Sequence, residues 1–151
     1  MANTQSMERY GRLGQLPSLK TALAVITGVM MLVDLYFIFM VAPTDSVLGH
    51  VQRVFYFHVP IAIMSFLAFF VVFIGSIGYL IKQTPKWDAI AHASAEVGVV
   101  FVTLALLTGI IWARPVWNTW WTWEPRLTTT MILWLIYVAY LMVRSYVPSQ
   151  S

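Results

Sequence analysis

The sequence predicts an all-α membrane protein with about four transmembrane helices, both termini on the cytoplasmic side, folded as one transmembrane domain over residues 1–151. Three observations carry this. The 151 residues are 60% hydrophobic and only 10% charged, against about a quarter charged in ordinary soluble domains. Four apolar stretches each approach the ~20 residues that a helix needs to cross a bilayer. The links between them are short and polar. In lipid the backbone must satisfy its own hydrogen bonds, so each stretch reads as a helix.

The balance also excludes several functions. The net charge of +3 comes from scattered basic residues, so nucleic acid is not an expected partner. Without cysteine there is no disulfide, thiolate metal site or thioether attachment on this chain. The first eighteen residues contain Glu8, Arg9, Gly11, Arg12 and Pro17, which is no apolar signal-peptide core. The first span is therefore expected to act as the insertion signal and to remain in the lipid bilayer.

In chain order, the spans are expected at 19–41, 59–81, 89–113 and 127–147. The first contains Asp34, a carboxylate expected to face protein rather than lipid. The link 42–58 is punctuated by Pro43, Thr44 and Asp45, and 51–58 has the pattern of an amphipathic surface helix. His58 follows Phe55, Tyr56 and Phe57, with Pro60 suited to the first turn of the second span. Gly75 and Gly78 allow close helix approach in that span. The third brings Asp88, His92 and Glu96 onto one face at spacing four, read as a polar seam between helices or a proton relay. Ala89, Ala91, Ala93 and Ala95 add close-packing positions. The fourth opens with Thr128, Thr129 and Thr130, which can cap the helix or bond back within it.

The external loop 114–126 holds Trp117, Trp120, Trp121 and Trp123, framed by Arg114-Pro115 and Glu124-Pro125-Arg126. So many neighbouring indoles suit a water–lipid boundary, and they also suit the face of a large planar ligand. Orientation bears on which. With the amino terminus inside, the inner regions hold Arg9, Arg12, Lys20, Lys82, Lys86 and Arg144, and the outer loops hold Arg53, Arg114 and Arg126. Six against three favours cytoplasmic termini. The His58 link and the tryptophan loop then share the outer face. There an imidazole can bind haem iron axially, indoles can cover the macrocycle, and Arg53, Arg114 and Arg126 can meet propionates. His50 is a weaker candidate in a less constrained part of the link.

The stretch W-N-T-W-W-T-W-E-P-R-L-T at 117–128 resembles the tryptophan-rich WWD signature of haem-handling proteins, in particular the CcmC-type family of cytochrome c maturation. That family's pattern is W-G-T-W-W-x-W-D-x-R-L-T, and the R-L-T ending separates it from the related CcsA-type synthetase subunits. R-V-F-Y-F-H-V-P-I-A at 53–62 is similar to the family's histidine segment, and A-P-T-D at 42–45 also matches. Together the matches extend across nearly the whole chain.

The resemblance implies a multi-pass protein of the bacterial inner membrane that is not an enzyme. It would bind haem b at the outer face and present it to a periplasmic haem chaperone, beside ABC-type permease and ATPase subunits. His58 would be an axial iron ligand, with Trp117, Trp120, Trp121, Trp123, Arg53, Arg114, Glu124 and Arg126 around the haem. Asn118 stands where the family has glycine, and Glu124 where it has aspartate. The family has six helices, with a second external histidine between the last two, and neither has a counterpart here. The expectation is a truncated or split product, or a second iron ligand supplied from elsewhere. The other reading of the residues is a structural subunit of a membrane complex, its tryptophans an interfacial anchor. A cytochrome b-like electron carrier fits poorly, because His58 is outer and His92 inner.

Overall fold

The computed structural model describes residues 18–146. Arg9 and Arg12, counted above for orientation, and Val147, expected to end the last span, lie outside the described residues. Four helices are long and apolar enough to cross a membrane, and no strand occurs among the described residues. The protein is an all-α, multi-pass membrane protein. Helix α1 (Leu19–Tyr36) continues into a π-helical turn, Phe37–Val41. It is capped by Ser18, whose hydroxyl accepts the Thr21 backbone N–H. This segment is one compact unit, and the chain from Thr44 onward is another.

The second unit contains α2 (Gln52–Lys82), α3 (Pro85–Trp117) and α4 (Pro125–Tyr146). Several of its boundaries differ from the sequence expectation. Residues 52–58 are not a separate surface helix but the first two turns of α2, and Pro60 lies inside that helix rather than in its first turn. Nothing between 52 and 59 breaks a helix, and the fixed φ of proline is helical, so one lost N–H does not stop it. Likewise Arg114, Pro115 and Trp117 belong to α3, leaving 118–124 as loop. The α2–α3 link shrinks to Gln83 and Thr84. Gln83 adopts a left-handed conformation (φ 49°), and its N–H closes on the Tyr79 carbonyl (2.7 Å). Pro85 then opens α3 in the position where its missing N–H costs nothing.

Between α2 and α3 the side chains are small. Ala91, Ala95, Gly98, Val102 and Ala105 are buried along one stripe of α3. A Cβ on Gly75 would sit 3.1–3.2 Å from the Ala91 backbone and Cβ, and one on Gly98 would reach 2.8 Å from the Phe69 ring. Gly78 lies against Trp87 in the same way. Ala91 and Ala95 are thus the close-packing alanines, whereas Ala89 and Ala93 are exposed. Lipid is as apolar as leucine, so such close van der Waals fit, not burial from water, holds these helices together.

Helix α4 docks on this pair through rings and polar ties. Leu133, Trp134, Tyr137, Tyr140 and Leu141 pack on the core of Phe69, Val72, Ala95 and Val102, with the Phe69 and Tyr137 ring centroids 4.3 Å apart. Trp134 Nε1 donates to Thr103 Oγ1 (2.8 Å), whose own proton goes to the Val99 carbonyl (2.7 Å). Arg144 reaches from the end of α4 to Asp88 at the start of α3, using both Nη atoms on the two carboxylate oxygens, and also donates to Tyr140 Oη (3.1 Å). Of the expected Asp88–His92–Glu96 seam, only Asp88 bridges helices. His92 and Glu96 pair with each other along α3 at 3.7 Å.

Two outcomes are expected. Gly75→Leu should lower stability in detergent by about 1–3 kcal/mol, as overpacked sites do, seen as a reduced Tm, with Gly75→Ala affected less. Arg144→Asp should lower Tm by an amount equivalent to up to about 1 kcal/mol, the range of partly exposed pairs. The exchange Asp88→Arg with Arg144→Asp should restore most of it.

Candidate functional site

One end of the α2–α4 bundle gathers most of the residues singled out above. The first turn of α2 is approached through a tight turn at 45–49. Asp45 Oδ1 accepts the backbone N–H groups of Val47 (2.8 Å) and Leu48 (2.7 Å), and Gly49 takes the left-handed φ (57°) that closes the turn. The Leu48 and Val47 N–H groups hold the Asp45 carboxyl below the usual carboxylate range. A depressed carboxyl pKa means that this support is present at neutral pH and is lost as pH falls through the lowered value. His50, exposed, follows the turn and gives its carbonyl to the Arg53 N–H (3.1 Å). Arg53 is half-buried at the start of α2.

His58 is half-buried and turned towards α3. Its Nδ1 lies 2.9 Å from Thr108 Oγ1, and its Cε1 is packed where a Cβ on the next residue, Gly109, would come within 3.3 Å. His58 therefore sits against α3 at Thr108 and Gly109. Sequence reasoning missed Thr108 and Gly109. The available signal was a polar-and-small pair, Thr108-Gly109, inside the apolar run from Leu104 to Trp112.

The tryptophan stretch wraps the same end. Helix α3 stops at Asn118, which is left-handed (φ 55°). Arg114 Nη1 reaches forward to the Asn118 carbonyl (2.8 Å) and Oδ1 (2.5 Å), and its guanidinium lies 5.8 Å over the Trp120 ring. Trp117 meets Trp112 edge-on at 5.4 Å, and Trp121 meets Trp123 edge-on at 5.8 Å. Thr119 holds the loop by donating to the Trp121 carbonyl (3.0 Å). Trp117, Trp120 and Trp123 are 40%, 59% and 75% exposed, so three large rings stand open beside the more enclosed Trp121. Glu124 Oε1 takes both Arg126 Nη2 (2.7 Å) and Nε (3.2 Å). Thr129 and Thr130 bond back to Pro125 and Arg126, as the sequence suggested, whereas the Thr128 hydroxyl does not.

Four donors here are buried without a protein acceptor: the indole N–H groups of Trp112 and Trp121 and the hydroxyls of Thr122 and Thr128. Leaving such groups unpaired costs ~1–3 kcal/mol each, so a site with acceptor oxygens to offer would complete them. Among the described residues, no three His, Asp or Glu side chains gather as an ion-binding cluster. What the end of the bundle offers is one seated imidazole, flat aromatic faces, arginines and unfilled donors. His92 and Glu96 have no part in it.

A family model described as Heme exporter protein C (CcmC) matches residues 4–150. Heme exporter protein C of Bradyrhizobium diazoefficiens is 40% identical over 116 residues, covering 77% of this chain and 44% of that protein. The Rhodobacter capsulatus protein of the same name is 35% identical over 135 residues, 89% of this chain and 53% of its own. That of Escherichia coli K12 is 35% identical over 116 residues, 77% and 47% respectively. The chain thus spans about half the length of the curated relatives it matches. With bacterial relatives and four apolar helices it is a multi-pass inner-membrane protein. A match over almost every residue, with relatives 35–40% identical, means that the chain belongs to the heme exporter protein C (CcmC) family.

Proposed function

We propose that this chain handles haem for cytochrome c maturation, binding it at the outer membrane face and presenting it to a periplasmic haem chaperone beside ABC-type permease and ATPase subunits. The observation that carries the reading is His58, seated on α3 at the same end as the open tryptophan faces. The names of the relatives, which speak of haem export, support it.

In this reading haem is cargo, haem b being the form expected, and the chain works by holding and orienting it rather than by making bonds. His58 supplies the axial ligand. The exposed faces of Trp117, Trp120 and Trp123, with Trp121 beside them, form the platform. Arg53, Arg114 and Arg126 neutralise propionates, Glu124 keeps Arg126 aimed, and the unfilled donors of Trp121, Thr122 and Thr128 take carboxylate oxygens. At 1.5 Å per residue α2 is about 46 Å long, against a hydrocarbon core of ~30 Å. His58, six residues from its start, therefore lies near a membrane boundary, where a propionate can stay wet. The exposure of Trp120 and Trp123 equally suits an interfacial anchor, which is the second reading.

Hemin titration separates the two. His58→Ala should lose most bound hemin, external imidazole should restore part of it, and His50→Ala and His92→Ala should do little. Trp120→Phe with Trp121→Phe should weaken retention while protein abundance stays normal, since stacked rings contribute ~0.5–1.5 kcal/mol per pair. Wild-type hemin binding in both variants would leave only the anchor.

Orientation is tested independently. The chain has no cysteine, so Ser46→Cys should react with an impermeant thiol reagent from the periplasmic side, and Lys86→Cys should not. The reverse pattern would put the tryptophan end in the cytoplasm.

A further inference from the structure

We propose that Thr108 is a positioning residue for His58: it holds the imidazole with its proton on Nδ1, so that Nε2 is presented bare as the iron-binding atom. The proposal rests on the haem reading above for its last step, though not for the tautomer itself.

The argument begins with proton counting. A threonine hydroxyl has one proton to give and two lone pairs to accept with. Thr108 Oγ1 lies 2.8 Å from the Leu104 carbonyl and 3.2 Å from that of Ala105. A carbonyl oxygen can only accept, so the hydroxyl proton goes to the helix backbone, as is usual for threonine inside a helix. With the hydroxyl proton on the helix backbone, the 2.9 Å contact to His58 is Nδ1–H donating to Oγ1.

The same helix contains an internal control. Thr103, five residues earlier, donates to the Val99 carbonyl (2.7 Å) and receives Trp134 Nε1 (2.8 Å). An indole nitrogen can only donate, so there the direction is beyond choice. Thr108 repeats that arrangement: back-bonded to its own helix, with a ring nitrogen from a neighbouring helix on the remaining lone pair.

Gly109 supplies the second constraint. A Cβ there would lie 3.3 Å from His58 Cε1 and 3.8 Å from Nδ1. The imidazole edge carrying these two atoms is thus laid against the α3 backbone. The ring cannot turn Nε2 onto Thr108 without giving up that packing. Hydroxyl and glycine together fix both the proton and the face of the ring, the two things an axial ligand needs set before iron arrives.

The test uses the full chain in detergent, ¹⁵N-labelled at histidine, with His50→Gln and His92→Gln so that only His58 reports. At about pH 8, above the ordinary imidazole range, the ¹⁵N spectrum should show the protonated nitrogen at Nδ1 and the bare one at Nε2. Thr108→Val, which keeps the shape and removes the acceptor, should give a mixture of tautomers, and Thr108→Ser should restore the single form. Hemin affinity should fall about 10–100-fold in Thr108→Val, the usual cost of losing the partner of a metal-binding histidine, and return within a few-fold in Thr108→Ser. Should valine prevent folding, Gly109→Ala retains the hydroxyl but displaces the ring, and is expected to lower hemin affinity about tenfold by the same loss of orientation.

A proton on Nε2 in the unsubstituted chain, or unchanged hemin affinity in Thr108→Val, would overturn the proposal while leaving haem binding intact. If His58→Ala binds hemin normally, the haem reading fails instead. The proposed consequence of the Nδ1 tautomer then fails with it, even where the spectrum is as expected.

Discussion

The arrangement depends on the close approach of α2 to α3. Gly75 on one helix faces the backbone of Ala91 on the other, and Gly98 admits the Phe69 ring. With any larger side chain at these positions the axes would separate. The distance between His58 on α2 and Thr108 on α3 then depends on this approach, because both helices are long continuous runs of backbone bonds. A hydrogen bond tolerates a few tenths of an ångström before it weakens. The small-residue stripe, which runs along α3 as far as Ala105, thus sets the spacing on which the 2.9 Å contact at Thr108 depends. Helix α4 adds lateral support, tied to α3 by Trp134 on Thr103 and by Arg144 on Asp88.

Much of this was legible in the sequence, for identifiable reasons. Span existence follows from apolar length, because lipid leaves the backbone no alternative to a helix. The pairing of the His58 segment with the tryptophan loop at one end follows from helix count alone: segments joined by short links must alternate in direction. The helix ends were less legible. Arg114 and Trp117 read as loop because they are polar or bulky beside a proline, yet α3 continues until a left-handed residue stops it at Asn118. Pro60 read as a helix start, although a proline is tolerated further in where packing on α3 outweighs one missing bond.

The polar partners were legible only in part. Asp88, His92 and Glu96 share a helical face, but spacing within one helix cannot say which of them a second helix will reach. Arg144 reaches Asp88 because α4 ends opposite the start of α3. Thr108 escaped notice because a threonine in an apolar segment is usually satisfied by its own helix. It is satisfied in that way here too, and only its spare lone pair is available to His58. A feature of that kind has no period and no motif. It becomes visible when the donor from the other helix is in place.

Asn118 has one further consequence. Where the resembling pattern has glycine, this chain has a residue that tolerates the left-handed conformation and also carries an amide oxygen, which Arg114 takes along with the backbone carbonyl. Glycine would leave that corner free to swivel, at a cost of ~1–2 kcal/mol per backbone residue whenever it had to be stilled. Here the same guanidinium that locks the corner also lies over Trp120. The exposed indole is therefore held at one angle by the same arginine that fixes the corner. Under the haem reading proposed above, docking a planar guest against it would call for little reorganisation of the host, and its departure would leave the surface in the same shape.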